Sequence, residues 1–310
     1  MCDHLKHRNI VITGGTRGLG FLQVEHALEC QANHVTFTSR PAENGGNAED
    51  TTHAQQYFQD KYGDKVTHVF SDVRVPCPSS QGQLVDDGVC NGRVFAPHLR
   101  EALSLPARVD SASLNAGVFG PGDATRRLDV ISEDNWDNVM DTNCKGVWLG
   151  LQDFANAQKT HPSDNPAVVV IKSIYGSGAS LFGNAPYHAS KFCVHGVMKQ
   201  AAVEFARAER GIPKIQVNSV SPAFTRTPMT KGFWHVEAVR GHMANAHPTG
   251  EWVEGTDVAK TVGWLMNPPA SITGADLPVD NGVMAQSIPG WSIADDVRKL
   301  TGEPCCGTAE

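Results

Sequence analysis

The chain has 310 residues, a net charge of −7 and 40% hydrophobic residues, which is enough for a domain with its own core. The acidic balance argues against nucleic acid as a partner, because nucleic acid requires a basic surface. No apolar run reaches the roughly 20 residues of a membrane-spanning helix, and the polar start MCDHLKHRN lacks a signal-peptide core. We therefore expect a cytoplasmic protein and exclude the secreted, membrane and fibrous classes.

The cysteines and histidines form no recognisable scaffold or metal motif. No Cys-x-x-Cys pair occurs among the eight cysteines, and Cys305 and Cys306 are adjacent, which would strain a bridge between them. We expect all eight to be reduced thiols. The 13 histidines are scattered, without the spacing of metal ligands, so no metal site is expected.

Short runs rich in β-branched residues alternate with longer stretches of helical character. Strands are predicted at 10–13, 34–38, 66–70, 109–114, 167–171 and 215–220, and helices at 21–31, 54–62, 94–103, 135–149 and 187–207. This alternation predicts an α/β fold, in which a doubly wound parallel sheet of about seven strands carries helices on both faces.

No linker or repeat divides the chain, so we expect a single domain over 1–310. The polar segments 41–50 and 76–92 contain Gly, Pro and Ser in turn-like clusters, which predicts surface insertions. Residues 287–310 are expected to form a C-terminal tail.

A glycine-rich loop lies between the first predicted strand and the first predicted helix. Glycines permit a tight turn and a close backbone approach to a pyrophosphate, and the helix N-terminus offers free N–H groups. A plain structural turn is the alternative. The loop spacing is G-x-x-x-G-x-G, and its candidate cofactor contacts are Gly14, Thr16, Arg17, Gly18, Leu19 and Gly20.

With this loop the chain resembles the short-chain dehydrogenase/reductase family, whose other elements follow in order over about 8–286. The resemblance implies a Rossmann-like fold that binds a nicotinamide dinucleotide. Leu114 and Ala223 replace the usual Asn and Gly of the family, and the stretch from 72 to 115 is longer than is typical. The further cofactor contacts that the resemblance implies are Asp72, Val73, Asn115, Ala116, Gly117, Tyr187, Lys191, Pro222, Ala223 and Thr227.

The end of the second predicted strand bears on the choice between NAD and NADP. A carboxylate there would bind the ribose hydroxyls and select NAD, but Ser39 and Arg40 occupy the place. Arg17 and Arg40 with the Ser39 hydroxyl suit a 2′-phosphate, which guanidinium groups bind bidentately. We therefore expect NADP(H). The alternative is that both arginines are solvated loop residues.

Tyr187 and Lys191 are four residues apart on a predicted helix, so their side chains share one face. A phenol can protonate the alkoxide that forms when a ketone is reduced, and a nearby ammonium lowers the phenol pKa. The resemblance adds that Lys191 holds the nicotinamide ribose, Ser173 hydrogen-bonds the substrate oxygen, and Asn143 holds a helix kink and a water. Ser177 and Ser180 compete with Ser173 for that role.

The segment after Thr227 is expected to cover the substrate. Its aromatic and methionine residues suit a mid-sized, fairly apolar molecule, although they could equally pack the loop onto the core. The residues concerned are Met229, Phe233, Trp234, His235, His242 and Met243, with Phe119, Leu181 and Phe182 as the opposite wall.

These observations predict an NADP(H)-dependent oxidoreductase that interconverts a ketone or aldehyde and an alcohol. The alternatives are a non-redox step on the same fold, such as epimerisation or cyclisation, and a non-catalytic NADP-sensing protein. The expected partner is a small carbonyl or alcohol substrate, with no nucleic acid and no membrane. The resemblance also implies a homodimer or homotetramer through the helices predicted at 135–149 and 187–207.

Overall fold

A computed structural model describes residues 2–42, 45–74, 108–120, 127–180 and 183–286. Over these residues the chain forms one seven-stranded sheet in which all neighbouring strands run parallel. The order across the sheet is β3-β2-β1-β4-β5-β6-β7, which confirms the predicted doubly wound α/β class. The strands are β1 (Asn9–Ile12), β2 (His34–Ser39), β3 (Val66–Phe70), β4 (Ser111–Leu114), β5 (Ala167–Ile171), β6 (Gln216–Pro222) and β7 (Asp276–Val279).

Helices cover both faces of the sheet. One apolar cluster joins the sheet to α1, α2 and α8, and a second joins its other face to α4 and α5. Strand β5 is buried along its whole length because both of its faces are covered. The helices are α1 (Gly18–Glu29), α2 (Ala48–Tyr62), α3 (Glu133–Met140), α4 (Gly146–Thr160), α5 (Ala185–Phe205), α6 (Lys231–Trp234), α7 (Glu237–Asn245) and α8 (Gly255–Leu265). None of the described helices has the length and apolar character needed to cross a bilayer.

The direction of the strand order changes at β1. The chain goes from β1 to β2 and β3 on one side, then returns to place β4 on the other side. Connections that leave the carboxyl ends of β1 and β4 therefore diverge and open a crevice between them. In open α/β sheets such a switch point is where ligands bind.

The observed elements differ from the predicted ones in several places, and helix α8 was not predicted at all. The helix predicted at 135–149 is α3, a π-helical turn (Asp141–Lys145) and α4 in succession. The polar segment 41–50 already contains the first turn of α2, whose N-cap Asn47 accepts a hydrogen bond from the Asp50 amide. The sequence prediction missed the short strand β7, because this strand contains Pro278 and lacks a run of β-branched residues. The predicted helix at 94–103, the insertion at 76–92 and the tail at 287–310 lie outside the described residues.

The expectation that every cysteine is a free thiol is wrong for four of them. The structure pairs Cys2 with Cys30 and Cys144 with Cys193 as disulfides. The partners are 28 and 49 residues apart, so it is the tertiary fold that brings them together. No local spacing in the sequence could have revealed either pair.

Candidate active site

A cleft lies at the carboxyl ends of the central strands, at the switch point. It receives the loops after β1, β2, β4, β5 and β6. The predicted cofactor residues that line it are Gly14, Thr16, Arg17, Gly18, Leu19, Gly20, Ser39, Arg40, Val73, Asn115, Ala116, Gly117, Tyr187, Lys191, Pro222, Ala223 and Thr227. Asp72 is the one predicted cofactor residue that does not line this cleft.

The glycine loop has a backbone shape that side chains would not permit. Gly14 has φ +69° and Gly18 has φ +56°, both in the left-handed region that favours glycine. A Cβ on Gly20 would lie 2.6 Å from the Asn115 side-chain nitrogen, so the loop and the end of β4 approach closely. The loop is therefore a compact turn that leaves space in front of α1.

The side chain of Asn115 holds the glycine loop against β4. Its Nδ2 donates to the carbonyls of Thr13 (2.9 Å) and Gly14 (3.2 Å), and its Oδ1 accepts from Gln23 (3.0 Å). The Thr13 hydroxyl in turn accepts from the amides of Asn115 and Ala116. The single Asn of this sequence thus performs the bridging, with Leu114 buried in the core before it.

The N-terminus of α1 fits a phosphate. Arg17 is the N-cap residue in extended conformation, its side chain does not cap the helix, and the first turn contains no acidic residue. The first amide groups of α1 therefore face the cleft together with the positive end of the helix dipole. These free amide groups, with no carboxylate in the first turn to compete for them, fit a dinucleotide pyrophosphate.

The adenosine end of the cleft is rich in guanidinium groups. Burial and the charge of the neighbouring Arg74 lower the pKa of Arg40, and Arg17 contributes in the same direction. Among the described residues, no group accepts a hydrogen bond from the Arg40 guanidinium. Arg17 is more exposed and lies 3.3 Å from the Asp50 carboxylate. Arg40 is therefore the cation most available to an anion here.

Two residues that were predicted to contact the cofactor in this region already form hydrogen bonds within the protein. The Ser39 hydroxyl is buried and lies 2.8 Å from His68 Nε2 and 3.2 Å from the Thr51 hydroxyl. The Asp72 carboxylate accepts from Arg74 at 2.6 Å, and although burial opposes it, this pairing lowers the Asp72 pKa. Because Thr51 donates its own proton to the Asn47 carbonyl, it accepts from Ser39, so a role for Ser39 in holding a 2′-phosphate would require the Ser39 proton to turn away from Thr51.

Tyr187 and Ser173 meet in a buried corner of the cleft. Asn184 caps α5 in left-handed conformation (φ +65°), and its side chain accepts from the Tyr187 amide, which fixes the first turn. Burial raises the pKa of Tyr187 to about 12, while an interaction with the Ser173 hydroxyl opposes the rise. The Ser173 side chain also accepts from the Tyr175 amide at 3.2 Å. The phenol is therefore protonated at neutral pH and adjacent to a hydroxyl.

Lys191 lies one helical turn beyond Tyr187 and is also buried. Its Nζ donates to the Ile171 carbonyl at 2.9 Å and lies 5.6 Å from the centre of the Tyr187 ring. Burial lowers the pKa of Lys191 to about 8. The expected lowering of the phenol pKa by this ammonium does not appear: desolvation is the largest influence on the Tyr187 pKa, and Lys191 is not among the groups that shift it.

Asn143 lies behind the cleft, within the π-helical turn between α3 and α4. Its Oδ1 accepts from the Val118 amide (2.8 Å), and its Nδ2 donates to the Val118 carbonyl (2.9 Å) and to Ser190 Oγ (3.0 Å). It joins the loop after β4 to α5 through Ser190. The predicted kink in the helix is present, and the water that Asn143 was expected to hold stays a prediction.

A buried ion pair that sequence reasoning missed supports the strand end before Ser173. Lys172 is fully buried and donates to Asp276 (2.7 Å) and to Ser177 (2.6 Å). Asp276 also accepts from Ser219 and Ser221 of β6. This network joins β5, β6 and β7 directly below the cleft. It also occupies Ser177, one of the two competitors for the role of Ser173.

Aromatic rings form the wall around Tyr187. The Tyr187 ring lies 5.0 Å from Phe119 and 6.4 Å from Tyr175, while Phe233 packs edge-on at 6.1 Å from Phe119 and Phe224 lies 6.0 Å from Tyr175. Tyr175 and Phe224 were not among the predicted wall residues.

The predicted substrate-side residues divide into two groups. Those that line the cleft are Phe119, Met229, Phe233 and Met243. Trp234, His235 and His242 do not line it: Trp234 donates to the Thr227 carbonyl and stacks on His235. Leu181 and Phe182 lie outside the described residues.

Residues 98–284 match the family model described as enoyl-(acyl carrier protein) reductase, which is more than half of the chain. The curated 3-oxoacyl-(acyl-carrier-protein) reductase FabG of Staphylococcus epidermidis is 29% identical over 278 residues, covering 89% of this chain and 99% of its own. The FabG protein of Staphylococcus aureus is 32% identical and covers 60% of this chain and 70% of its own. The chain belongs to the short-chain dehydrogenase/reductase family.

A solved member of this short-chain family shares the whole architecture. A putative short-chain alcohol dehydrogenase from Sinorhizobium meliloti superposes with a TM-score of 0.72 at 26% identity, covering 91% of this chain and 98% of its own. The resemblance predicted from the motifs is thereby confirmed at the level of family and fold.

Proposed function

We propose that the protein is an NADP(H)-dependent oxidoreductase that interconverts a ketone or aldehyde and an alcohol on a mid-sized, fairly apolar substrate. The observation that carries the proposal is the meeting of Tyr187, Ser173 and Lys191 in one buried corner of the cleft. A protonated phenol, a hydroxyl and an ammonium beside an apolar wall are the groups that reduction of a carbonyl requires.

Each of these groups has a distinct role in reduction. NADPH supplies the hydride that is added to the carbonyl carbon. The Ser173 hydroxyl donates a hydrogen bond to the carbonyl oxygen, and the Tyr187 phenol delivers the proton to that oxygen. The Lys191 ammonium, protonated below its pKa of about 8, then stabilises the phenolate that remains. Asn143 maintains the position of the loop that follows β4 against α5.

The cofactor is NADP(H), and Arg40 is the main reason. Its guanidinium lies half-buried at the end of β2, where NAD-selecting proteins carry an acidic group, and Asp72, the carboxylate whose charge acts on it, is hydrogen-bonded to Arg74 instead. Asp50, the nearest carboxylate that lines the cleft, is paired with Arg17 instead. The 2′-phosphate of NADP offers Arg40 the bidentate, charge-assisted partner that it lacks.

The substrate is a free small molecule rather than one carried on a protein, although the curated relatives are named as reductases of acyl-carrier-protein substrates. An acidic carrier protein requires a cluster of basic side chains around the entrance. The segment 228–248 contains two lysine or arginine residues, of which Lys231 is exposed and Arg240 lies 3.6 Å from Glu237. The aromatic wall of Phe119, Phe224 and Phe233 favours an apolar ring or chain next to the carbonyl.

The protein assembles as a homodimer or homotetramer through α4 and α5. Phe192, Gly196 and Val203 lie on one exposed side of α5, and Trp148 is exposed on α4. Elsewhere on α5, Gln200 is exposed, Cys193 and Val197 are half-buried, and Ala201 is buried. Light scattering at micromolar concentration should give two or four chains per particle, and a monomer would contradict the proposal.

A single domain over 1–310 and a cytoplasmic location belong to the same proposal. The family match and the described sheet support one domain with its core at about 8–286.

A substrate panel assayed with NADPH tests the proposed function. Cyclic and aryl ketones, a short aliphatic ketone, a 3-oxoacyl thioester and the same acyl group on acyl carrier protein should be compared by the loss of NADPH absorbance. We expect turnover of the apolar ketones and no advantage for the carrier-bound substrate. Product formation without NADPH consumption would favour epimerisation or cyclisation, and tight NADPH binding without any turnover would favour a sensor.

A further inference from the structure

Four potential metal ligands converge at the end of α1 that points away from the cleft. They are Cys2 and His4 of the N-terminal segment and His26 and Cys30 of α1 and its C-cap. One ligand atom from each lies within 4.8 Å of all the others. We propose that these four side chains form a structural Zn²⁺ site.

The residue set matches the preference of zinc. Structural zinc is bound tetrahedrally by four cysteine and histidine side chains, and two of each is a common combination. With bonds of about 2.3 Å to sulfur and about 2.0 Å to nitrogen, neighbouring ligand atoms are roughly 3.3–3.8 Å apart. Cys30 Sγ lies 3.5 and 3.8 Å from the two ring nitrogens of His26, within this range, whereas Cys2 Sγ lies 2.9 Å from His4 Nδ1 and is bonded to Cys30 Sγ, so the disulfide must be reduced and both Cys2 distances must lengthen when the metal binds.

The imidazoles have no other function in this place. The Nε2 atom of His4 is buried without a hydrogen-bond partner. The two rings lie with their centres 6.1 Å apart, at an angle of 44°, and both approach Gly263 of α8. A Cβ on Gly263 would lie 2.7 Å from the His26 ring, so the glycine makes room for the quartet. The disulfide between Cys2 and Cys30 leaves His4 Nε2 without a partner, whereas a metal ion would give each imidazole a ligand bond.

The N-terminal segment is held in place independently of the cysteines. Leu5 is fully buried in the core, and the His4 carbonyl accepts from Asn267 Nδ2 at 2.8 Å. Arg8 donates to Ser111 and to three further acceptors, among them Asn267 at 3.0 Å. On α1, residues 26 and 30 are four apart and so lie on one helix face. The four ligands are thus presented by a fixed framework.

The chemistry of the site distinguishes it from the catalytic cleft. Zn²⁺ would bind the two sulfurs as thiolates and the two imidazoles as neutral ligands, with release of two thiol protons and no change of redox state. All four positions are taken by protein, so no position remains for a substrate or an activated water. The ten residues from Gly20 to Cys30 correspond to roughly 15 Å along the helix axis. The metal-bound state and the disulfide seen in the structure use the same sulfurs and exclude each other.

Metal content of the full chain tests this site. The protein would be produced with zinc in the medium and purified with a phosphine reductant, and zinc per chain would be measured by mass spectrometry. We expect about one zinc per chain. After the zinc is removed, cobalt(II) should bind in equal amount and give the strong visible absorption of tetrahedral cobalt with thiolate ligands.

The ligand variants are Cys2→Ser and His4→Gln, with Cys144→Ser and His7→Ala as matched controls. Cys2→Ser and His4→Gln leave the backbone contacts of the segment intact, so both should fold, which circular dichroism would verify. Bound zinc should fall at least fivefold in the ligand variants and remain at the parent value in the controls. A chelator should lower the Tm of the parent and of both controls but not that of the ligand variants.

Two results would overturn the proposal. In one, the reduced chain binds neither zinc nor cobalt, which would leave the Cys2–Cys30 disulfide as the function of these cysteines. In the other, Cys2→Ser and His4→Gln retain the metal, which would place it elsewhere.

Discussion

The two halves of the cleft are built in different ways. On the cofactor side the surface is mostly backbone, shaped by the turn from Gly14 to Gly20 and by Asn115, whose side chain bonds the loop. On the substrate side it is made of side chains from four separate segments, namely Phe119, Tyr175, Phe224 and Phe233. Backbone shape requires particular residues at fixed spacing, whereas an apolar wall accepts many residues at many positions. The residues of the cofactor half can therefore be predicted from a sequence, and those of the substrate half cannot.

Tyr187 lies where the two halves meet, and its removal should have the largest effect on activity. Tyr187→Phe leaves the ring packing against Phe119 intact but removes the proton donor. We expect kcat to fall about 10²–10⁴-fold while the Kd for NADPH changes by less than about threefold. Steady-state kinetics and fluorescence titration of NADPH measure the two quantities.

Tyr175→Phe is the matched control, because Tyr175 is also buried in the cleft wall beside Tyr187. Its kcat should fall by less than about tenfold. A Tyr187→Phe enzyme that keeps more than a tenth of the parent rate would transfer the donor role to another group or to water.

This contrast also explains how much the sequence could predict. The sheet, the glycine loop and the YxxxK helix were predictable because each depends on local periodicity or on a fixed spacing. The engagement of the Ser39 hydroxyl with His68 was not predictable, because it depends on how β2 and β3 align in the sheet. The same holds for the Lys172–Asp276 pair and for the Cys2–Cys30 pairing, since each joins residues that only the tertiary fold brings together.

The next largest effect is expected for cofactor affinity, at the adenosine end of the cofactor half. We expect the parent to bind NADP(H) at least about 10–100-fold more tightly than NAD(H), because a charge-assisted pair contributes about 1.5–3 kcal/mol. Arg40→Ala should remove most of this preference by weakening NADPH binding while leaving NADH binding nearly unchanged. The Kd values of the parent and of Arg40→Ala for NADPH and NADH measure this preference.

Arg17→Ala is the internal comparison for Arg40. Arg17 is exposed and already paired with Asp50, so its loss should weaken NADPH binding less than the loss of Arg40. Equal binding of NAD(H) and NADP(H) by the parent, or unchanged NADPH affinity in Arg40→Ala, would contradict the assignment.

The pH dependence of reduction tests the two buried titrating groups. Reduction requires the Tyr187 phenol and the Lys191 ammonium, whose pKa values in the free protein are about 12 and about 8. The lysine therefore loses its proton first as the pH rises. With NADPH as the varied substrate, kcat/KM should be level below pH 8 and then fall about tenfold per pH unit. Alcohol oxidation should instead gain from rising pH, because it requires the phenolate. A reduction profile that stays level up to pH 10 would contradict this role of Lys191.

The smallest expected effect concerns the substrate half. Phe233 of α6 packs edge-on against Phe119 and lines the cleft, whereas the neighbouring Trp234 does not line it and bonds the Thr227 carbonyl instead. Removing the Phe233 ring takes away apolar contact worth about 1–2 kcal/mol, which corresponds to a roughly 5–30-fold higher KM for an apolar ketone. A short aliphatic ketone, which is too small to reach this wall, should show a much smaller change in KM.

Trp234→Ala should affect both ketones alike, because it acts on the loop rather than on the wall. If Phe233→Ala also raised the two KM values equally, the ring would serve only to pack α6 onto the core. The proposal that the substrate is apolar would then lose its main support. A KM that rises for the apolar ketone alone would instead show that the Phe233 ring contacts the apolar part of the substrate.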